Sequence, residues 1–199
     1  MNYTIQDVKR LREQTGAGVL DSRNALAKAR TWEEAVQMLV ATQRTSAEKV
    51  QKNEHQTREG SIFSYIHHNQ RAGVLLELNC STDFVARSES FRQLARELAM
   101  HITAKEPSYI YTEQVPLKVK KAWIRSGLQE RAMIRVRGKK REDAIKAILD
   151  QDFARHVLVM QPWIRDSSIT VGELIGKVIA ETREKIVVRR FARFVLGEA

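Results

Sequence analysis

Between Gly73 and Ile102 the apolar residues change their spacing, and that change fixes the centre of the fold. Gly73-Val74-Leu75-Leu76 opens an apolar run that continues through Glu77-Leu78-Asn79-Cys80, the pattern of a buried strand. Beyond Ser88, the residues Phe91, Leu94, Ala95, Leu98, Ala99 and Ile102 fall at i, i+3, i+4, i+7, i+8 and i+11. That is the core face of a long helix. A strand therefore feeds a helix, with Thr82, Asp83 and Phe84 at the junction. Taken as residues alone, Phe84 reads as a core ring closing the corner, and Thr82 or Asp83 as a helix cap. The alternative is a ring beside a carboxylate, a shape that can be pushed into another protein.

Around this centre the chain reads as α+β. Thr4 with Asp7 forms a capping pair ahead of Val8 and Leu11, and Gly16-Ala17-Gly18 is a turn. Val19, Leu20, Ala25, Leu26 and Ala29 continue as a second helix. Thr31 and Glu34 form a capping box for a third, whose buried face would be Ala35, Val36, Leu39 and Val40. Residues 41–59 are polar and charged and read as an extended helix or a linker. Ser61 to His68 and Ala72 to Asn79 form two strands around the turn His68-Asn69-Gln70-Arg71. Lys105-Glu106-Pro107 stops the long helix. Residues 116–137 and 142–158 predict two more helices separated by Gly138, and Thr170 with Glu173 caps a last one. Ile186 to Leu196 closes as a strand with apolar residues on both faces. The expected organisation is a three-helix module with its linker over 1–55, then an α+β core over 56–199 with a three-stranded antiparallel sheet packed with helices.

Charge is unevenly spread. Residues 116–166 carry 13 basic and 6 acidic side chains and supply most of the net charge of +10. Within them Lys118 to Arg141 holds ten basic residues, Arg135 included, against the single acid Glu130. Such a stretch fits nucleic acid, an acidic partner or simply a solvated helix face. Trp123 is its only aromatic residue, which disfavours stacking on single-stranded bases.

The chemistry of a catalyst is missing. There is no Gly-x-x-x-x-Gly-Lys-Ser/Thr loop and no Gly-x-Gly-x-x-Gly, so neither common nucleotide cradle is expected. His67 and His68 are adjacent, would face opposite ways on a strand, and are expected not to share a metal. His101 reads as a packed histidine at the margin of its helix. Cys80, the single cysteine, excludes an internal disulfide framework and reads as a small buried hydrophobe. No enzyme chemistry, cofactor or metal is expected. The apolar runs are too short for a membrane span, and Met1 to Asp7 carries an acid and precedes no apolar segment. A cytoplasmic protein is therefore the expectation.

Glu77 to Arg87 resembles, almost letter for letter, the core signature of elongation factor Ts, the bacterial and organellar nucleotide-exchange factor for elongation factor Tu. Leu11-Arg12-Glu13-Gln14-Thr15-Gly16-Ala17-Gly18-Val19-Leu20-Asp21-Ser22-Arg23-Asn24-Ala25-Leu26 is similar to the family's first signature. Leu98 to Ile102, Gln161-Pro162-Trp163, Thr170 to Leu174 and the ending from Ile186 also agree. The resemblance covers essentially the whole chain and is to the short form with one core subdomain. Departures are Arg23, where a lysine is usual, Ser81, where an acid or amide is usual, and Val19 and Leu20, where two methionines are common.

The resemblance implies a UBA-like N-terminal module and a homodimer. It also implies a partner, elongation factor Tu, bound in its GDP-bound and nucleotide-free states. By the family's pattern Phe84 wedges into the partner's switch domain, with Thr82, Asp83 and Val85 beside it and Asp83 hydrogen bonding. Arg12, Val19, Leu20 and Arg23 would grip the same domain from another side. His101 is similar to a family histidine that touches a different domain. The rival expectation is a basic RNA-associated protein using Lys118 to Arg141.

Overall fold

A computed structural model describes residues 3–15, 17–52, 57–131 and 137–198, with the side chains of 43–52 set aside. In chain order the helices are α1 (Ile5–Thr15), α2 (Val19–Lys28), α3 (Trp32–Lys52), α4 (Asp83–Ala86), α5 (Glu89–Lys105), α6 (Leu117–Glu130), α7 (Lys139–His156) and α8 (Val171–Thr182). The strands β1 (Glu59–Ile66), β2 (Ala72–Cys80) and β3 (Val187–Val195) form one antiparallel sheet in the order β1-β2-β3. The fold is α+β, as expected. No described helix is long and apolar enough to cross a membrane.

Contacts divide the chain into two compact units that interleave along the sequence. One comprises Met1–Ile62, Glu77–Ala95 and Glu173–Arg189, and the other Phe63–Leu76, Arg96–Gly172 and Arg190–Ala199.

In the first unit, α1, α2 and α3 close on a cluster of Leu11, Ala17, Ala25, Leu26, Ala29, Ala35 and Leu39. Alanines at four of these positions let short helices approach closely while three leucines fill the centre. Both capping pairs form. Thr4 N–H donates to Asp7 Oδ2 at 2.7 Å and Asp7 N–H to Thr4 Oγ1 at 3.2 Å. Glu34 N–H donates to Thr31 Oγ1 at 3.2 Å, while Glu34 reaches back to the Arg30 amide at 2.7 Å. The turn at Gly16 lies outside the described residues, and Gly18 is the N-cap of α2. Gly60 has φ 145°, and a Cβ there would stand 2.2 Å from the Leu78 carbonyl oxygen. Only glycine lets β1 pass that close.

In the second unit, β1 ends at Ile66 rather than His68. His67 N–H pairs with Ala72 O at 2.9 Å and Gln70 N–H with His67 O at 2.8 Å, so both histidines belong to the hairpin turn. The alternation of a strand no longer separates them, and their ring centroids lie 4.2 Å apart. No group of three or more His, Cys, Asp or Glu that could hold a metal occurs among the described residues. Expected ends also move for α6, which stops at Glu130 instead of 137, with 132–136 outside the described residues. Gly138 at φ 68° caps α7, which starts three residues before the expected Glu142. These two helices share a small buried cluster of Leu128, Ala144 and Ile148.

Candidate partner-binding site

The site is built where β2 turns into α4. Thr82 has extended geometry and its Oγ1 accepts the Val85 amide at 3.3 Å, which starts the single turn of α4. Two residues after α4, Ser88 restarts the helix. Its Oγ donates to Val85 O at 2.7 Å and accepts the Phe91 amide at 3.3 Å. The alternation of the two caps sends side chains in opposite directions. Val85 is 5% exposed and Ala86 is buried, whereas Phe84 is 81% exposed. Asp83 and Arg87 form an exposed i,i+4 ion pair at 3.0 Å beside the ring, a pair that contributes about 0–1 kcal/mol at most in water.

Phe84 therefore does not close the corner, contrary to what the residues alone suggest. Val85, Ala86, Phe91 and Leu94 are buried instead, and α4 is only four residues long. One turn has room to bury one side of itself, and Val85 and Ala86 occupy that side. Val85 is for the same reason a poor surface for a partner to touch.

A feature that sequence reasoning missed secures this corner. Glu184, between α8 and β3, accepts the Thr82 amide at 3.0 Å and the Thr82 hydroxyl at 2.6 Å. The two residues are 102 positions apart, and an acid in a loop gives no sequence signal of what it will meet. Cys80 is buried beside them, and its thiol donates to Thr82 O at 3.1 Å. Burial, with Glu184's charge acting in the same direction, pushes that thiol up to about 11. Its burial agrees with its reading as a small buried hydrophobe.

On the helical module, Val19 and Leu20 are more than half exposed in the first turn of α2, and Arg12 and Arg23 are exposed too. Val19 and Leu20 do not join the buried stripe of α2, which Ser22, Ala25 and Leu26 form instead. Helical spacing puts Arg23 four residues from Val19 and three from Leu20, on one surface.

His101 is fully buried in α5. Its Nε2 lies 3.0 Å from Gln161 Oε1, and the Ile164 amide donates to its Nδ1 at 3.3 Å. It presents no surface to a partner, because its helix face is the one carrying Leu94, Leu98 and Ile102. What it holds is the segment Gln161 to Ile164. Arg165 just beyond pairs with Glu97 at 2.7 Å.

The basic stretch falls on α6 and the start of α7, with Arg135 outside the described residues. Trp123, the single aromatic residue of the basic stretch, is already engaged. It stacks on His156 with centroids 5.2 Å apart and meets Phe153 edge-on at 6.1 Å.

A helical module followed by an antiparallel three-stranded sheet, with an exposed ring on a doubly capped corner, defines the class of this protein. Residues 6–198 match the family model described as Elongation factor TS. The chain is 39% identical over 205 residues to elongation factor Ts of Fervidobacterium nodosum, covering 100% of both chains. It is 42% identical over 197 residues to that of Gloeobacter violaceus, covering 98% of this chain and 89% of the relative. It is 39% identical over 202 residues to that of Thermotoga maritima, covering 100% and 98%. The chain belongs to the elongation factor Ts family.

Proposed function

We propose that this chain is a guanine-nucleotide exchange factor for elongation factor Tu, acting in translation elongation in the cytoplasm and catalysing no bond-making reaction. The observation that carries the mechanism is Phe84, 81% exposed on a capped corner whose neighbours Val85 and Ala86 are buried. An aromatic ring held away from its own core costs apolar exposure, and docking into a partner's pocket recovers it. Such rigid rings are the common anchors of protein interfaces.

Exchange then follows from linkage. A protein that binds the nucleotide-free partner more tightly than the GDP-bound one must weaken GDP binding by the same factor. A coupling of about 4 kcal/mol corresponds to roughly a thousandfold. In this reading Phe84 enters the partner's nucleotide-binding domain and Asp83 orients the approach through hydrogen bonds. Arg12, Val19, Leu20 and Arg23 bind the same domain from the helical module, residues 1–55. The core, 56–199, serves as the dimerisation domain. His101 contributes by holding the segment from Gln161 to Ile164 rather than by contact of its own.

A homodimer is part of the proposal. Ile66, Leu75, Phe194 and Leu196 are exposed apolar residues that line one open cavity of about 390 Å³. A surface of that kind on a sheet suits a second copy of itself. The experiment that tests the function is release of labelled GDP from elongation factor Tu with and without substoichiometric amounts of this protein. Acceleration is expected, and an unchanged rate across micromolar concentrations overturns the reading.

A further inference from the structure

The corner that carries Phe84 is weak by itself. A helix of four residues lies far below the length at which helices persist without help, so the direction of the ring depends on what holds the turn. We infer that Glu184 is the positioning residue for Phe84, an inference that rests on the exchange-factor reading and names how its docking residue is held.

The geometry is a relay. The Thr82 hydroxyl gives its only proton to Glu184 Oε1 at 2.6 Å, leaving its lone pairs for the Val85 amide at 3.3 Å. The carboxylate's other oxygen takes the Thr82 amide at 3.0 Å. One charged group therefore satisfies the backbone of the cap and orients the hydroxyl that starts α4. A hydrogen bond to a charged acceptor is stronger than a neutral one, and it polarises the next bond in the chain. Rotation of Thr82 that would swing Phe84 toward its own core must break both contacts at once.

Glu184 is itself held at both ends. Arg183 adopts φ 57° after α8, with its amide on Ile179 O at 2.8 Å, a left-handed termination that turns the chain sharply. The Glu184 amide donates to Thr182 Oγ1 at 3.4 Å, and Ile186, two residues on, is fully buried. The carboxylate is thus delivered by a fixed turn rather than by a free side chain on a flexible loop.

The test compares Glu184→Ala and Glu184→Gln with the unmodified protein, each also combined with Phe84→Ala. Glu184→Ala is expected to leave the melting temperature close to that of the parent and to raise the concentration needed for half-maximal GDP release by about fivefold or more. Glu184→Gln keeps one acceptor oxygen and should fall between. In the Phe84→Ala background the same change should cost little further, since it acts through the ring. Full, multiplicative loss in that background overturns the inference, as does parent-like exchange by Glu184→Ala. An independent readout is amide hydrogen exchange at Thr82 and Val85, which should speed up by about tenfold or more in Glu184→Ala. If the parent fails to stimulate GDP release, the exchange-factor reading falls, and the amide data alone decide whether Glu184 holds the corner. Unchanged protection at both amides overturns the inference whatever the exchange assay gives.

Discussion

His101 Nε2 and Gln161 Oε1 stand 3.0 Å apart in the interior, and the bond fixes the tautomer of the ring. Because the Ile164 amide donates to Nδ1 at 3.3 Å, Nδ1 is unprotonated and Nε2 carries the hydrogen that Gln161 accepts. The Gln161 amide nitrogen then donates to Lys105 O at 3.3 Å and Arg155 O at 2.7 Å. One neutral histidine and one amide thereby satisfy three backbone groups across α5, α7 and the segment after it.

This arrangement sets a pH dependence of stability. Burial pushes His101 below its ordinary value of 6.5, and the nearby Lys105 charge acts the same way against the opposing Gln161 bond. The folded protein therefore binds the proton less readily than the unfolded chain. The contribution of this group to stability is complete above 6.5 and is lost as pH falls below it, until the folded-state value is reached. Thermal melts between about pH 7 and pH 5 should show this decline. An NMR titration of the His101 ring with a midpoint above 6.5 contradicts the assignment.

Phe84→Ala separates docking from folding. With the ring exposed, its loss should change stability by no more than about 0.5 kcal/mol. Stimulated GDP release should fall by more than about tenfold, the loss of one aromatic anchor of ~1.4–3 kcal/mol. Early melting of Phe84→Ala, or full activity in a folded variant, contradicts the docking role.

Cys80 should be inert in the native protein. A thiol raised from 9.0 to about 11 has about a hundredfold less thiolate near neutral pH than an ordinary one, and burial blocks access as well. Reaction with a thiol-specific reagent should therefore proceed only after denaturation. Rapid labelling of the folded chain would show that the corner opens.

Self-association should depend on the exposed apolar residues of the sheet. The chain mass is 22.9 kDa, and light scattering of the parent at micromolar concentration should give about twice that value. Phe194→Glu places a charge in the patch and should return the monomer mass without lowering the melting temperature by more than the loss of association explains. A monomeric parent contradicts the dimer.

Local signals decided much of this protein. The i, i+3, i+4 spacing from Phe91 to Ile102 predicted α5, and the residues at those positions are buried, with Glu97, His101 and Thr103 buried beside them. The pair Thr4–Asp7 closes in both directions, and Glu34 N–H reaches Thr31 Oγ1 while its carboxylate takes the Arg30 amide one residue further back, since capping is a contact between neighbours. The motif from Glu77 to Arg87 pointed to the family, and the corner that exposes Phe84 lies in it. The strand end at Ile66 was not legible, because a hairpin's register depends on which backbone groups pair across it.

Only the tertiary structure decided which way side chains face. Phe84 and Val85 are adjacent in sequence and both apolar, yet one is exposed and the other buried, because the Thr82 cap sets the phase of a single helical turn. Val19 and Leu20 share α2 with Ala25 and Leu26 yet are exposed, because Ala25, Leu26 and Ala29 are the residues that join the cluster with α1 and α3. His101 and Glu184 gain their roles from Gln161 and Thr82, 60 and 102 residues away. Periodicity reports the spacing of apolar residues along one element, whereas burial and pairing depend on what the rest of the chain brings against it.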